Sequence, residues 1–165
     1  MDLEQRLTRL EDDRAIRDLK MRYLRAADAK DPASMRDCFR PDARIRFDGF
    51  PDFDNRDDFI AIYEQFGCQD GIFDIHHGGT GILTWRDDGS VDGWWPLYFH
   101  NINLAQQTVL QLGVEYADHY VKIDGRWWIA ESKSWRKSCV MQKIGDDGLL
   151  HNVAIGEAPQ VFGEN

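Results

Sequence analysis

Apolar residues recur at helical spacing in the first part of the chain and alternate with polar residues in the second part. Leu3, Leu7 and Leu10 repeat at intervals of four and three, which predicts an amphipathic helix over residues 2–11. A longer stripe over residues 14–30 predicts the main helix, with one face buried against a sheet. The apolar positions of this stripe are Ile16, Leu19, Tyr23 and Ala27.

Two shorter helices and one strand are predicted to follow. Asp31 is a good N-cap with Pro32 at the first helical position, and alternation over residues 43–47 predicts a strand with one wet face. A third helix is expected to begin at a cap near residue 55 and to end at Gly67. Its apolar face consists of Phe59, Ile62, Tyr63 and Phe66.

From residue 72 onward the pattern changes to β-branched and aromatic runs that are separated by Asp-Gly turns. The predicted strands are residues 72–85, 91–103, 108–123 and 126–141. Strands of this length must bend or carry bulges. Three helices followed by an antiparallel meander predict an α+β fold, in which the helices cover one face of a curved, cone-shaped sheet with a pocket at its open end. We expect one domain over residues 1–144 and a tail over residues 145–165 that is either a lid or poorly ordered.

Composition narrows the classes of partner. The 165 residues are 42% hydrophobic, which is enough for one core. Twenty basic and 29 acidic residues give a net charge of -9, which disfavours nucleic acid and anionic membranes as partners. No apolar run reaches the roughly 18 residues of a membrane span, and the first residues lack the features of a signal peptide, which together favour a cytoplasmic location. The three cysteines have neither a disulfide nor a zinc spacing, so we expect them to be buried small hydrophobic residues.

Two adjacent histidines are the first candidates for chemistry. His76 and His77 lie on or beside the first long strand, where neighbouring side chains point to opposite faces, so only one can face the pocket. A structural role for both is the alternative. A metal site is disfavoured because no H-x-H motif, helical histidine pair or cysteine cluster accompanies them.

Tyr23, Asp28 and Arg136 are further candidates. Tyr23 places a phenol within the apolar stripe, and Asp28 follows it by about 140° of helical rotation, so the two converge only across a wide cavity. Regular alternation puts Arg136 on one face with Ser132 and Ser134, which leaves room for a ligand beside the guanidinium. A surface arginine is equally compatible with the pattern, because one bulge would reverse the faces.

Aromatic residues on the strand over residues 91–103 are candidates for the pocket wall. We expect Trp95, Phe99 and His100 to contact the substrate, since most aromatic side chains of the chain would fill the core and some would remain to line an apolar pocket. For His100 a position on the strand without a chemical role is the alternative.

Three segments carry a resemblance to a known family. They are residues 13–28, His76-x-Gly78-x-Thr80 and Tyr116-x-Asp118-x-Tyr120-x-Lys-Ile-Asp-Gly-x-Trp127. Over about residues 3–141 the chain resembles the SnoaL-like branch of the nuclear transport factor 2-like superfamily. Within that branch it is most similar to bile acid 7α-dehydratase, and it is more distantly similar to scytalone dehydratase and hexachlorocyclohexane dehydrochlorinase. The resemblance implies a cystatin-like α+β cone, a lyase without a cofactor, and a homotrimer, with a dimer as the alternative.

The resemblance also implies a set of site residues. Carried over position by position, it gives catalytic roles to Tyr23, Asp28, His76 and Arg136. One position departs, because a further aspartate of the dehydratase aligns with Phe99. This departure bears on the substrate and on the number of proton-carrying groups, and not on the fold.

The predicted function is the elimination of water or another small leaving group from a hydrophobic cyclic substrate, steroid-like or polyketide-like. His76 would be the general base, and Asp28 would hold its tautomer and stabilise the imidazolium. Tyr23 would donate a hydrogen bond to the departing oxygen or to a carbonyl, and Arg136 would stabilise the developing charge. The alternatives are an isomerase or polyketide cyclase that uses the same proton abstraction, and a binding protein without catalysis.

Overall fold

The computed structural model describes residues 1–159, which form helices and strands in the α+β order that the sequence predicts. The helices are α1 (Leu3–Asp28), α2 (Pro32–Arg36) and α3 (Arg56–Phe66). The strands are β1 (Phe39–Phe47), β2 (Ile72–Gly78), β3 (Ile82–Trp85), β4 (Val91–Asn103), β5 (Thr108–Ile123), β6 (Arg126–Ile144) and β7 (Leu150–Gly156).

The first helix is continuous, and the prediction of two separate helices within residues 2–30 was wrong. Asp2 caps α1 in a capping box with Gln5, and the helix then runs for 26 residues. The acidic pair before residue 14 does not end it, because Asp13 bonds to Arg17 one turn later at 2.6 Å. None of the helices within residues 1–159 is long and apolar enough to cross a membrane.

The strands form one curved, open, mixed sheet. Its main order is β1-β6-β5-β4-β2, in which β1 runs parallel to β6 and the other pairs are antiparallel. The end strands β1 and β2 do not pair with each other within the described chain, so the sheet stays unclosed. Helix α1 contacts β2 and β6, and α3 contacts β1. The predicted α+β class, with helices packed on a curved sheet, is thereby confirmed.

The predicted strand over residues 72–85 is divided into β2 and β3. The backbone leaves the ladder at Gly79, whose N–H donates to the carbonyl oxygen of Pro96 at 2.8 Å. Position 81, two residues later, has room only for glycine, because a Cβ there would lie 2.1 Å from the ring of Trp95. Close packing of glycine backbone on the neighbouring strand therefore causes the break.

The tail contributes a strand that the sequence analysis did not predict. Residues 150–156 form β7, which pairs with residues 139–144 of β6. The same strand β6 pairs with β1 over residues 129–134. The predicted lid or poorly ordered tail is thus replaced, over residues 150–156, by an edge strand, and residues 160–165 lie outside the described part of the chain.

The core lies between the helices and the inner face of the sheet. Phe59 of α3 packs edge-to-face against Phe39 and Phe47 of β1, with ring centroids 5.7 and 5.4 Å apart. Of the cysteines, Cys38 and Cys139 are buried as predicted, and Cys68 is only half-buried.

Candidate active site

Asp28 and His76 meet where the end of α1 reaches the first long strand. Asp28 is the last residue of α1, and its two carboxylate oxygens accept from the backbone N–H of His76 at 3.0 and 3.1 Å. The carboxylate oxygen Oδ1 is also 2.6 Å from Nδ1 of the imidazole. A carboxylate at a helix C-terminus is disfavoured by the helix dipole, so these contacts are what hold Asp28 in place.

The arrangement leaves one nitrogen of the imidazole available for chemistry. With Nδ1 bound to the carboxylate, the tautomer that carries its proton on Nδ1 is favoured, and Nε2 keeps a lone pair. Within residues 1–159, Nε2 of His76 has no hydrogen-bond partner. The side chains are 17% exposed for His76 and 28% exposed for Asp28, so the pair is accessible but shielded. Such a pair can take a proton from a bound molecule.

The register of β2 on β4 decides which of the candidate residues share a face with His76. His76 is paired with Phe99, and their rings lie 4.7 Å apart. His77 points to the opposite face and stacks near Tyr98, with ring centroids 6.3 Å apart. His100 also lies on that opposite face, because it follows Phe99 directly. The structure therefore brings Phe99 to the pair and places His77 and His100 away from it.

Apolar side chains of β4 and β5 extend the surface beside the pair. Leu97 and Phe99 lie on one face of β4, opposite Val114 and Leu112 of β5. Trp95, the third predicted contact residue, is buried further along the same face and packs edge-to-face on Tyr120, 6.5 Å away. Trp95 is thus a core residue, and the surface next to His76 is formed by smaller apolar groups.

Tyr23 lies deeper in the core than the pair. Its ring packs edge-to-face on Phe39 with centroids 5.0 Å apart. Burial, followed by the nearby Tyr116 and Asp118, raises the pKa of Tyr23 well above the usual range. Tyr23 is therefore a neutral phenol at physiological pH, and it can act only as a hydrogen-bond donor or acceptor.

Arg136 lies across the sheet from the pair and is held by the loop after β1. Its backbone N–H and its Nη2 atom each lie 3.2 Å from the carboxylate of Asp48, and its Nη1 donates to the carbonyl oxygen of Pro159 at 2.7 Å. Gly49, at φ +84°, lets this loop approach, since a Cβ there would lie 2.7 Å from Cζ of Arg136. The hydrogen bond from Arg136 lowers the pKa of Asp48.

The position of Arg136 follows from regular alternation along β6, because the pairing with β5 is unbroken from Ser132 to Arg136. A bulge comes only after Arg136, since Val114 pairs with Arg136 and the preceding residue of β5, Gly113, pairs with Ser138. The side chain of Arg136 is 9% exposed, and its Nε atom has no hydrogen-bond partner within the described residues. Arg136 hydrogen-bonds to neither Asp28 nor His76.

Open grooves elsewhere on the surface have no connection with these residues. One groove of about 590 Å³ lies between α1 and the β5–β6 turn. It is lined by acidic residues of α1 together with Arg22, Arg126 and Trp127. Among residues 1–159 no group of three His, Cys, Asp or Glu side chains is arranged to hold a metal ion.

Comparison with known proteins identifies the family and the fold. The sequence profile of the SnoaL-like domain family matches residues 8–133. No protein of curated function matches the chain by sequence.

Solved structures share the fold at low sequence identity. A type 2 hexachlorocyclohexane dehydrochlorinase, LinA, has a TM-score of 0.72 and 17% identity over 94% of this chain and 99% of its own. A scytalone dehydratase-like protein from Novosphingobium aromaticivorans has a TM-score of 0.73 and 17% identity over 95% of this chain and 98% of its own. ActVI-ORFA from Streptomyces coelicolor has a TM-score of 0.64 and 17% identity over 74% of this chain and 94% of its own. These likenesses establish the fold, and the finer resemblance to bile acid 7α-dehydratase stays a prediction.

Proposed function

Because the chain belongs to the SnoaL-like domain family, we propose that it is a cofactor-independent lyase that removes water or another small leaving group from a hydrophobic cyclic substrate. The observation that carries the proposal is the contact of 2.6 Å between Asp28 and Nδ1 of His76, whose ring lies 4.7 Å from the apolar ring of Phe99. A base in a shielded apolar site is suited to abstracting a proton from carbon.

In the proposed reaction, Nε2 of His76 takes a proton from the carbon next to the one that bears the leaving group. The electron pair of the broken C–H bond forms the new C=C bond, and the leaving group departs with the electrons of its own bond. When hydroxide leaves, it takes the proton back from the imidazolium and departs as water, which restores neutral His76. Asp28 stabilises the imidazolium between these steps.

Tyr23 and Arg136 are proposed to stabilise charge on substrate oxygen atoms. Tyr23 is neutral and would donate a hydrogen bond to the departing oxygen or to a carbonyl that becomes an enolate. The positive charge of Arg136 would stabilise negative charge that develops on a more distant oxygen of the substrate. Together these donors would hold an oxygenated ring with its reacting C–H bond toward His76.

The structural neighbours support an elimination. A dehydrochlorinase removes hydrogen chloride and a dehydratase removes water, and both names occur among proteins with this fold. At 17% identity the likeness carries no residue role, so the chemistry rests on the arrangement of Asp28 and His76 in this chain.

An isomerase or cyclase is the second candidate. The imidazolium of His76 stays bonded to Asp28, so it can return the abstracted proton to a different atom of the same substrate. The mass of the product separates the two classes, because elimination loses a molecule of water or acid and isomerisation loses nothing.

We also propose that the protein is a cytoplasmic homotrimer, with a dimer as the alternative. Trp94, Tyr98 and Trp135 are exposed on the outer side of the sheet, as are Phe73 and Ile75 of the edge strand β2. An apolar surface of this extent is typical of a contact between subunits.

The test is a substrate panel with product analysis. Purified protein would be incubated with γ-hexachlorocyclohexane, scytalone, a hydroxylated steroid and an aromatic polyketide, and the products would be identified by mass spectrometry. We expect loss of water or hydrogen chloride from at least one compound with the wild type and no loss with His76→Ala. Turnover that is unchanged in His76→Ala would contradict the proposal, as would the absence of turnover and of binding across the panel.

A further inference from the structure

A tyrosine of α3 donates a hydrogen bond to the end of α1, directly before Asp28. The hydroxyl oxygen of Tyr63 is 2.7 Å from the carbonyl oxygen of Ala27. This carbonyl belongs to the peptide group that joins Ala27 to Asp28. Because a peptide group is planar and rigid, a contact to its oxygen also restrains the Cα atom of the next residue. Tyr63 therefore restrains the point from which the Asp28 side chain projects.

The ring of Tyr63 is itself held in place at the end of α3. The backbone N–H of Gly67 donates to the carbonyl oxygen of Tyr63 at 2.7 Å, and the helix ends there. A Cβ at Gly67 would lie 2.7 Å from Cε2 of the Tyr63 ring, so the glycine leaves the space that the ring occupies. The ring is half-buried and packs against the core. The hydroxyl is thus presented to α1 by a ring with little freedom to move.

The end of α1 adopts a turn that carries backbone strain. The chain turns just after Asp28 through Lys30, whose φ of +56° lies in the left-handed region that is uncommon for residues with a side chain. Two hydrogen bonds close the turn, from the N–H of Lys30 to Ala27 at 3.2 Å and from the N–H of Asp31 to Ala26 at 3.0 Å. This is the Schellman arrangement, in which glycine is usual at the left-handed position. Such strain persists where the surrounding structure fixes the backbone, and it is common at functional sites.

The helix end does not need the phenol to satisfy its hydrogen bonds. The Ala27 carbonyl already accepts from the N–H of Lys30, so it would keep a partner without Tyr63. A phenylalanine ring would fill the same space against the core. What the hydroxyl adds is a fixed distance between α3 and the peptide group that carries Asp28.

We propose that Tyr63 is a positioning residue that holds the carboxylate of Asp28 against His76. The inference rests on the proposed elimination, in which this pair is the base. Asp28 accepts from the backbone N–H of His76 at 3.0 and 3.1 Å, and Oδ1 lies 2.6 Å from Nδ1 of the ring. Both contacts depend on where the end of α1 lies relative to β2. With that end held by Tyr63, the carboxylate reaches the backbone and the ring of His76 together.

Loss of the restraint would act on the chemical step. The hydrogen bond between Nδ1 and the carboxylate weakens when its distance or angle departs from the best values. The stabilisation of the imidazolium then falls, whereas the apolar surface beside His76 stays in place. Because the imidazolium forms only as His76 takes up the proton, kcat should fall and KM should stay unchanged. We expect a loss of about fivefold, which is the size of effect that one neutral hydrogen bond produces.

The test compares two substitutions that remove one hydrogen bond each from α3. Tyr63→Phe removes only the hydroxyl. Asn55→Ala removes the N-cap of the helix, whose side chain accepts from the N–H of Asp58 at 2.8 Å, and it leaves the end of α1 untouched. On whichever compound of the substrate panel is turned over, we expect Tyr63→Phe to lower kcat about fivefold at unchanged KM and Asn55→Ala to keep kcat within about twofold. Equal losses of kcat would leave Tyr63 a structural residue and overturn the proposal.

A double-mutant cycle shows whether Tyr63 acts through Asp28. Without the carboxylate the restraint has nothing to position, so Tyr63→Phe should not change kcat in the Asp28→Asn background. The same loss in both backgrounds would overturn the proposal. Thermal melting identifies any variant that is unfolded. Tyr63→Met also lacks the hydroxyl and adapts to the space of the ring, so it replaces Tyr63→Phe if that variant does not fold, with the same expected loss.

A measurement without substrate keeps this inference distinct from the proposed function. The chain has five histidines, so ¹⁵N-labelled histidine gives five imidazole signals that single His→Gln variants assign. The Nδ1 and Nε2 shifts report which nitrogen carries the proton. We expect the shifts of His76 to move in Tyr63→Phe and to stay unchanged in Asn55→Ala. Shifts that stay unchanged in Tyr63→Phe, or that move equally in both variants, overturn the positioning role even if the enzyme is active. A substrate panel without turnover, together with shifts that move only in Tyr63→Phe, refutes the elimination and leaves the positioning of Asp28 standing.

Discussion

Asp28→Asn is the substitution that tests the proposed base most directly. The attraction between Asp28 and His76 exists in full only when the imidazole has taken up the substrate proton. Because the charges are spread over the imidazolium and the carboxylate, their centres lie about 4 Å apart. At an effective dielectric constant of about 20, the attraction between unit charges at this distance is about 4 kcal/mol. With about half of the charge developed in the transition state, about 2 kcal/mol is lost in the variant, or roughly thirtyfold in kcat. The amide can also donate to Nδ1 and reverse the tautomer, so we expect a total loss of about a hundredfold or more.

Asp74→Asn is the matched control for this variant. Asp74 lies two residues before His76 on the same face of β2, where it pairs with Lys30 and accepts from Asn101 at 2.6 Å. It does not contact the imidazole, so kcat should stay within about twofold of the wild type. The assay is initial-rate kinetics with thermal melting of both variants. Equal losses of kcat in the two variants would mean that the reaction depends on the negative charge near His76 and not on its contact with Asp28. Full activity in Asp28→Asn would refute the role of the carboxylate.

Other expected outcomes address the face of the strand, the loop at Arg136 and the assembly. His76→Ala should abolish turnover and His77→Ala should retain most of it, because only His76 contacts Asp28; a dead His77→Ala variant would refute this orientation. Asp48→Asn should lower the free energy of unfolding at pH 7 by less than about 1 kcal/mol, because the side chain is 37% exposed. Since Arg136 lowers the pKa of Asp48, this stabilisation is present above pH about 4 and is lost as the pH falls through the lowered pKa. A stability difference between the wild type and Asp48→Asn that persists in acid would contradict this reasoning. Sedimentation at micromolar concentration should show a trimer or dimer, which Trp94→Lys should weaken, and a monomeric wild type would rule out the assembly.

Local patterns were sufficient to predict the fold class, and strand alternation predicted that only one of His76 and His77 faces the pocket. Helical spacing, caps and Asp-Gly turns act over a few residues, and each was visible in the sequence. The choice of His76 over His77 rested on strand alternation and on the H-x-G-x-T segment. The structure places His76, and not His77, against Asp28. The catalytic roles of Tyr23, Asp28, His76 and Arg136 stay predictions.

Features that depend on contacts between distant residues could not be predicted in the same way. His100 faces away from His76 because β2 is paired with β4 in a particular register, and no local pattern reveals that register. The strand β7 has few buried residues and needs the edge of β6 for its hydrogen bonds.

The fully buried ion pair of Lys20 and Asp118, whose Nζ and Oδ2 atoms lie 2.8 Å apart, was missed for a different reason. Lysine is rarely buried, so nothing in the residue type indicated that Lys20 faces the core. One signal was present in the sequence, since Lys20 precedes Tyr23 by three residues and so lies on the same side of the helix. The alternation of Tyr116, Asp118 and Tyr120 pointed to a polar inner face on β5.

The pairing of β1 with β6 affects the order in which the protein can fold during synthesis. Arg44 and Glu131 are neighbours in this parallel pair, although 87 residues separate them along the chain. Strand β1 therefore has no sheet partner until residues 126–144 have left the ribosome, which at about 5 to 20 residues per second takes several seconds. During this time the helices and β1 expose the aromatic surface that later forms the core. Non-local pairing of this kind folds slowly, so we expect the growing chain to depend on chaperones until β6 is complete.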